Sequence, residues 1–589
     1  MAFSPAPPIP GIFMRRLLDQ VQTSAWLGLR GRFVSTIPPR RTTLRALPFK
    51  PEDFPLPDRE RNRTDALVQG KFIIQNLEVQ LGWPPQWASV KDSSIPESWR
   101  HAFHSHEFLR ELLLASDRER ARHCLWQLIQ KWIEYHPEPS AANTSVAWSP
   151  TTTAMRLLVW FELFYASPPP EGMVREVVLS CVRQTRWLQK RVRYAGNDMG
   201  RCIEAIALAT ASVFFEGPWA KEILEQTAPL LERSLFDVIG VDGELHSRSP
   251  GQLLALSKRY LLLSQWLRHV DRERAEQMLQ WSRTLETTGG LLRHPDGQPP
   301  LFNDTTLDGL LPQPPVKAPS MWVNSTFVHR GKNLFVAFDG GLPPANTWQR
   351  SGHAGPLNFE LSWQKKRVFV DSGLCSFQGE RHNAHRLESA HNVFAPGDKS
   401  SGSFTKIAYR PHGRAFARRL LRLPEGVWFG ASHNCFAAKG LANVTRAWFV
   451  HYATETIFSV HIGMGKSRRR EMVEWLHLAP GIGAQALDPH CFGLEMSSPL
   501  VLYVAGTATG GDSPTLRMVS GQTSALLHLE LPTAAIEIKT SSHPPILSAW
   551  SLTPGTKPAP FTVNLTGGIL QINANISGQT CLFSIPIVG

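Results

Sequence analysis

Two histidines and one aspartate lie in the stretch whose residue types and spacing most readily support chemistry. His353 follows a glycine, Asp371 ends an alternating apolar run, and His391 lies in the sequence Ala-His-Asn. The runs LNFEL and RVFVDSG flank the turn WQKK, which predicts a β-hairpin whose end brings the three side chains together. Imidazole and carboxylate groups are zinc ligands, so a divalent-metal site is one interpretation. Ordinary polar residues at strand ends are the other.

Tyr194, Asn197 and Asp198 come directly before a predicted helix in the first half of the chain. An Asn or Asp at that boundary is most simply an N-cap, whose side-chain oxygen accepts a hydrogen bond from a free backbone N–H. The alternative is functional, because an amide at a helix N-terminus can hold a substrate carboxylate. The residues alone leave both interpretations open.

Two further polar segments lie in predicted loops. The first carries His246 and Arg248 and runs into Ser249-Pro250, which is typical of a helix start. The second, HPDGQPPLFND at 294–304, comes just before a Pro-rich linker. Neither segment specifies a chemistry by itself.

The elements that must position these residues change in character along the chain. Residues 1–95 are rich in Pro and Arg and predict an extended, mostly irregular arm. From 96 to 311, apolar residues recur at spacings of three and four, which predicts helices joined by short loops, in a bundle or an α/α toroid. After a linker at 312–320, residues 321–589 alternate with period two between turn residues, which predicts an antiparallel β-sandwich.

Composition limits the functional classes. The chain has 589 residues and a net charge of +13, which suits a polyanionic partner but does not select one. Seven scattered cysteines without a CxxC pair argue against a disulfide framework. No apolar run is long enough to predict a transmembrane helix, and the N-terminus lacks the order of a signal peptide. The cytoplasm is therefore the expected location from the residues alone.

Six segments, in the same order, resemble motifs of the heparinase II/III-like family of bacterial polysaccharide lyases. They are WSPTTTAMR at 148–156, GND at 196–198, RSP at 248–250, HPDGQPPLFNDTT at 294–306, GHAGPLNFEL with VDSG at 352–373, and AHN at 390–392. The resemblance covers most of the chain from about residue 99 onward.

The resemblance implies a multidomain α+β protein with an N-terminal, incomplete (α/α) toroid and a C-terminal antiparallel β-sandwich. It also implies cleavage of an acidic, uronic-acid polysaccharide by β-elimination, in the cell envelope of many relatives. Asn197 matches the residue that neutralises the substrate carboxylate. One structural zinc, or another divalent metal, is expected on His353, Asp371 and His391. The expected substrate contacts are Arg156, Arg248, Asp198 and His106.

The chain departs from the family at its proton-transfer positions. Gln252 and Leu253 stand where the family has Tyr and His, and Ser351 stands where some members have a catalytic His. A Gln side chain does not exchange a proton near neutral pH. Tyr194, His246 and Tyr260 lie nearby in sequence and could substitute for them, and Tyr194 and His246, together with Asn197, are taken as the expected catalytic residues.

Three functions are weighed on this basis. The first is a polysaccharide lyase with a shifted acid/base pair, which the motifs, the basic charge and 19 tryptophans suited to sugar stacking favour. The second is a catalytically impaired glycan-binding relative that serves assembly or export of a surface polysaccharide. The third, a nucleic-acid binder, has only the charge in its favour, since no RNA- or DNA-binding motif is present.

Overall fold

The computed structural model describes most of the chain in fourteen stretches. They are residues 44–47, 63–91, 94–114, 117–140, 143–192, 199–240, 243–345, 348–377, 379–397, 399–406, 408–466, 468–505, 513–576 and 578–586. The chain divides into two compact units, and the described residues within 1–235 and 263–275 form the first. Those within 236–262 and 276–589 form the second.

Helices dominate the chain up to residue 292. They are α1 Arg63–Val68, α2 Glu97–Ser105, α3 Arg118–Tyr135, α4 Pro150–Ala166, α5 Val174–Arg191, α6 Met199–Phe214, α7 Pro218–Phe236, α8 Pro250–Leu267 and α9 Arg272–Leu292. Short 3₁₀ segments occupy Ser89–Lys91, Glu107–Leu114 and Glu171–Met173. Of the described helices, none combines the length and apolar composition needed to span a bilayer.

Helix starts follow local sequence rules. Asp117 caps α3 by accepting a hydrogen bond from the backbone N–H of Arg120 at 3.0 Å. Ser149 caps α4 in the same way, accepting from Thr152, and Pro150 occupies the first turn, where a missing N–H costs nothing. Helix α4 is then buried along nearly its whole length, so it forms the centre of the first unit.

Residues 63–91, which the sequence placed in an irregular arm, form regular structure instead. Besides α1, they contain an antiparallel hairpin of β1 Lys71–Ile74 and β2 Leu77–Gln80. Gln75 and Asn76 both have positive φ, as a tight two-residue hairpin turn requires. Phe72 is fully buried, so this hairpin contributes to a core that the Pro- and Arg-rich composition concealed.

Strands occupy nearly all of the remaining chain. They are β3 Met321–Val323, β4 Thr326–Arg330, β5 Leu334–Asp339, β6 Phe359–Trp363, β7 Lys366–Phe369, β8 Phe394–Pro396, β9 Gly402–Phe404, β10 Tyr409–Pro411, β11 Ala415–Arg422, β12 Gly426–His433, β13 Leu441–His451, β14 Ile457–Gly465, β15 Arg470–His477, β16 Gly483–Asp488, β17 Cys491–Glu495, β18 Leu500–Val504, β19 Thr515–Leu526, β20 Leu529–Ser542, β21 Ile546–Pro554, β22 Phe561–Thr566, β23 Ile569–Ile576 and β24 Gln579–Pro586. One helix, α10 Gly379–Arg386, and 3₁₀ turns at Glu388–Ala390 and Ala437–Lys439 interrupt them.

The strands pair antiparallel in sheets whose apolar faces form the core of the second unit. The largest sheet has the order β11-β12-β13-β14-β21-β18-β17-β16, and a five-stranded sheet runs β3-β4-β5-β6-β7. The predicted hairpin around WQKK is confirmed, because β6 pairs with β7 and Trp363 lies opposite Lys366. Gln364 and Lys365 at its turn both have positive φ.

Tryptophans serve mainly as core residues. Those among the largest fully buried side chains are Trp99, Trp126, Trp132, Trp148, Trp160, Trp428, Trp448 and Trp550. None of these is available to stack on a sugar, so the expectation that tryptophans bind glycan is wrong for them. The high tryptophan content instead reflects the large apolar area that is buried in the cores of the two units.

Candidate functional site

Gln252 and Ser351 meet, although 99 residues separate them in sequence. Ser249 caps α8 by accepting from the backbone N–H of Gln252 at 3.3 Å, which fixes Gln252 in the first turn. The Gln252 amide Nε2 then donates to Ser351 Oγ at 2.9 Å. The Gln252 carbonyl Oε1 is buried and accepts no hydrogen bond from the described residues. Two of the positions that the sequence resemblance assigned to proton transfer are therefore adjacent, and neither carries a titratable group.

His391 and Asp371, two of the predicted metal ligands, bind each other. His391 Nδ1 lies 2.9 Å from Asp371 Oδ2, and the same oxygen accepts from the Asn358 amide. Burial alone would raise the pKa of Asp371, but His391 beside it holds that pKa below its ordinary value. The Asp371 carboxylate thus orients the His391 ring, and the second ring nitrogen, His391 Nε2, faces away from Asp371.

Asn392 holds this pair in place. Its side-chain Nδ2 donates to the carbonyls of Phe359 at 2.8 Å and Val370 at 3.0 Å, and its Oδ1 accepts from the backbone N–H of His477 at 2.6 Å. One buried amide therefore ties β6, the end of β7 and β15 together. This arrangement fixes the backbone next to His391 and so helps to place its side chain beside Asp371.

His353, the third predicted ligand, binds a carboxylate that was not predicted to be near it. Its Nε2 lies 2.9 Å from Asp304 Oδ1, and its backbone N–H donates to Asn303 at 3.2 Å. The ring centroids of His353 and His391 are 5.3 Å apart. Burial, and then the neighbouring His391, lowers the pKa of His353 well below its ordinary value, so the ring is neutral at pH 7.

The fit of this set to a metal ion is partial. His353 Nδ1 and His391 Nε2 are both buried and have no hydrogen-bond partner among the described residues, so two imidazole nitrogens are available as ligands. The Asp371 carboxylate is engaged by His391 and Asn358. In the described residues, the His/Cys/Asp/Glu group whose ligand atoms lie within 4.8 Å of one another is a different one, Cys375 with His385 and Glu530.

Arg248, a predicted substrate contact, is held inside the second unit. Its guanidinium donates to Glu244 at 2.6 Å and also binds Ser325 and Asp339. The Arg248 side chain is 5% exposed. Its backbone carbonyl accepts from the Asn303 amide at 2.9 Å, so Arg248 joins the loop before α8 to the His353 neighbourhood.

Arg156 and His106 are buried in the first unit. Arg156 is fully buried above the Trp132 ring at 3.9 Å and donates to Gln184 at 2.8 Å and to backbone carbonyls. His106 is fully buried as well, and its Nδ1 accepts from Trp160 Nε1 at 3.0 Å. Neither side chain presents a surface to a substrate in this structure. Both support the aromatic core.

The predicted catalytic residues fall in two groups. Tyr194 and Asn197, with Asp198, lie outside the described residues. His246 is described, half-buried, and its backbone N–H donates to the Val238 carbonyl at 2.8 Å in a short loop of the second unit. Their catalytic and substrate-binding roles stay predictions.

Asp304, His382 and Arg386 form a buried neighbourhood that sequence reasoning missed. Ser351 hydrogen-bonds to Asp304, whose pKa burial raises. His382 and Arg386 lie near that carboxylate, and burial lowers the pKa of His382 to about 4. Neither ring nitrogen of His382 has a hydrogen-bond partner among the described residues. The segments FNDTT and RHNAHR carried this signal, but loop sequences do not show which side chains point inward.

Comparison with known proteins identifies the second half of the chain. Residues 321–544 match the family model described as heparinase II/III-like, C-terminal. The chain carries a heparinase II/III-like C-terminal domain. The predicted resemblance is thereby confirmed, and two of the six segments, at 352–373 and 390–392, lie within the matched residues. None of the curated proteins matches the sequence.

Solved structures extend the likeness over the whole chain. Heparinase III matches at a TM-score of 0.73 with 14% identity, covering 98% of each chain. Heparan sulfate lyase HepC from Pedobacter heparinus matches at 0.60 with 14% identity, covering 90% of this chain and 89% of that one. The predicted fold class, an N-terminal α/α toroid followed by the antiparallel β-sandwich of the heparinase II/III-like domain, is confirmed.

Proposed function

We propose that this protein recognises an acidic, uronic-acid-containing polysaccharide and cleaves it by β-elimination. The single observation that carries the proposal is the likeness of both halves of the fold to heparinase III, over 98% of each chain. The net charge of +13 suits an anionic polymer, and the His353, Asp371 and His391 cluster is retained. Fold, charge and cluster therefore all support a polysaccharide lyase.

β-Elimination sets three chemical tasks. The uronate carboxylate must be neutralised so that the C5 proton becomes acidic, and the Asn197 amide is suited to this task as a hydrogen-bond donor. A base takes the C5 proton, the C–H electrons form the C4–C5 double bond, and the C4–O bond breaks. An acid then protonates the leaving oxygen. No water is added to either product.

Tyr194 and His246 are the residues proposed to move the protons. Gln252 and Ser351 cannot do so near neutral pH, because amide and hydroxyl groups do not titrate there. The role proposed for this pair is positional, because its hydrogen bond joins the start of α8 to the loop that carries His353.

A kinetic comparison tests these roles. The full chain is incubated with a panel of anionic glycans, and the unsaturated uronate is followed by its ultraviolet absorbance. Tyr194→Phe and His246→Gln are each expected to lower the rate at least about 100-fold, because general acid–base catalysis contributes that much or more. Tyr452→Phe, an exposed tyrosine of the second unit, is the matched control and is expected to keep the wild-type rate. Equal rates in all four proteins would refute the assigned roles.

The Gln252–Ser351 hydrogen bond favours a second function, a glycan-binding protein that does not cleave. Both positions are filled by residues that satisfy each other rather than exchange protons. This function predicts binding that weakens with salt, because charged contacts are screened. It also predicts that Gln252→Tyr restores no cleavage. Cleavage of any bound glycan by the wild-type chain would exclude it.

The proposal includes one divalent ion, expected to be zinc with a structural role, on His353, Asp371 and His391. The two unpartnered imidazole nitrogens support it. Such an ion would fix the loop that carries His353 next to the end of β7. Elemental analysis of the purified chain and of His353→Ala tests the proposal. It predicts about one zinc fewer per chain in the variant, and equal content would refute it.

A further inference from the structure

Cys375, His385 and Glu530 bring three different metal-ligand types together in the second unit. Their ligand atoms Sγ, imidazole N and carboxylate O all lie within 4.8 Å of one another. Cys375 and His385 are buried, and the Glu530 side chain is 18% exposed. We propose that this cluster is a binding site for a thiophilic divalent cation such as zinc, distinct from the His353 cluster.

Hydrogen bonds hold the three segments of this site together, and the one that reaches the His385 segment runs from the Ser372 hydroxyl to the His385 carbonyl at 3.4 Å. Cys375 lies after β7, His385 is in the last turn of α10, and Glu530 is the second residue of β20. The backbone N–H of Ser524 donates to Ser372 at 2.7 Å, and that of His528 donates to the Cys375 carbonyl at 2.8 Å. The loop after β7 is thus fastened to the β19–β20 hairpin, so the ligand positions are fixed before any ion binds.

The hydrogen bonds of His385 leave its second ring nitrogen facing a carboxylate oxygen, and a cation would stabilise that contact. His385 Nδ1 lies 3.1 Å from the Ser372 carbonyl, which can only accept, so Nδ1 carries the proton. In a neutral ring Nε2 is then a bare lone pair, yet it faces Glu530 Oε1 at 2.9 Å. Two acceptors at that distance require a positive species between them. Either a proton or a metal ion supplies it.

The surrounding groups favour the metal over the proton. A metal-binding histidine characteristically donates its other ring N–H to a backbone carbonyl, as His385 does to Ser372. A His–Glu pair that only shares a proton needs no thiol, whereas Cys375 is oriented into the same space. Sulfur, imidazole and carboxylate ligands together suit zinc, and three protein ligands leave its fourth position open. Arg381 lies 3.7 Å from the other Glu530 oxygen, Oε2, and also hydrogen-bonds to the Cys375 thiol, so Glu530 Oε1 faces His385 alone.

Cobalt binding tests this site in the full-length chain. The chain is treated with a chelator and titrated with Co²⁺, whose bond to a thiolate gives a charge-transfer absorption band that nitrogen and oxygen ligands do not give. About one equivalent with this band is expected. Cys375→Ser is expected to abolish the band. Glu530→Gln is expected to weaken the affinity for Co²⁺ at least about tenfold, which is the smallest loss of affinity usual even when a residue that only supports a metal ligand is replaced.

Control variants show whether the band belongs to Cys375. Cys435→Ser removes a buried thiol elsewhere in the second unit and is expected to keep the band. His353→Ala is expected to keep it too, because that residue belongs to the other cluster. Thermal unfolding of each variant verifies that it is folded. A wild-type chain that gives no thiolate band, or a band that persists in Cys375→Ser, would overturn the proposal.

Discussion

Gln252 donates a hydrogen bond to Ser351 at 2.9 Å, and both residues stand where the sequence resemblance predicted proton-transfer groups. The substitutions are therefore coupled in space rather than independent. One amide and one hydroxyl occupy a place where two titratable groups would meet. Any cleavage by this protein must take its protons from other residues.

A double-mutant cycle measures that coupling. Gln252→Ala, Ser351→Ala and the double variant are unfolded with denaturant, and their free energies of unfolding are compared. A hydrogen bond of this kind contributes about 0.5–1.5 kcal/mol, so the sum of the two single effects is expected to exceed the double effect by about that amount. Strictly additive effects would mean that the pair is not bonded in solution.

Arg156 is expected to matter for stability rather than for substrate binding. It satisfies the carbonyls of His104 and Ala147 and the Gln184 side chain inside the first unit. Arg156→Ala leaves those acceptors buried without a donor, at about 1–3 kcal/mol each, so a loss of at least about 3 kcal/mol is expected. Arg283→Ala, at a site 68% exposed, is the control and should change stability by less than about 0.5 kcal/mol. An Arg156→Ala protein that is as stable as the control variant but fails to bind glycan would contradict this assignment.

His433 predicts a loss of stability in acid. Burial, and then the neighbouring His461, lowers the pKa of His433 to about 3, whereas the unfolded chain has a value near 6.5. Between about pH 6.5 and pH 3 the unfolded state binds a proton that the folded state does not bind. The free energy of unfolding therefore decreases as the pH is lowered through this range. The contribution of this group approaches about 1.4 kcal/mol per pH unit in that window.

Replacing this histidine isolates its share. His433→Gln is expected to reduce the dependence of the unfolding free energy on pH between about 6 and 4, measured by denaturant unfolding at each pH. The other buried histidines keep their own contributions in both proteins, so only the difference in slope is informative. Identical slopes for the two proteins would show that His433 is already protonated in the folded state.

The sequence supported the fold more fully than the site. Apolar residues that alternate with period two in the second half predict strands, and apolar residues spaced by three and four before it predict helices. Each pattern places the apolar residues on the one face of the element that is buried. The turn WQKK even located the β6–β7 hairpin. The hairpin around Gln75 and Asn76 was missed, because the surrounding Pro and Arg residues masked two short strands.

The site depends on contacts that no spacing rule encodes. The family motifs predicted that His353, Asp371 and His391 lie close together. The structure shows the contact between His391 and Asp371 and a short distance between the His353 and His391 rings. However, His353 binds Asp304, a residue 49 positions earlier in a loop. Arg156 and His106 have polar side chains that suggest ligand binding, yet their partners are backbone carbonyls and indole rings. Long-range packing decides such roles, and one sequence does not display it.

Mass analysis of glycan products is the measurement that tests the central claim most directly. The full-length chain is incubated with uronic-acid polysaccharides, and the masses of the fragments are compared with that of the parent polymer. β-Elimination predicts fragments whose masses sum to the parent without added water, one of them an unsaturated uronate, and a rate that falls in Tyr194→Phe. Fragments that carry an added water, or bound glycan that stays intact at every pH tested, would contradict the account.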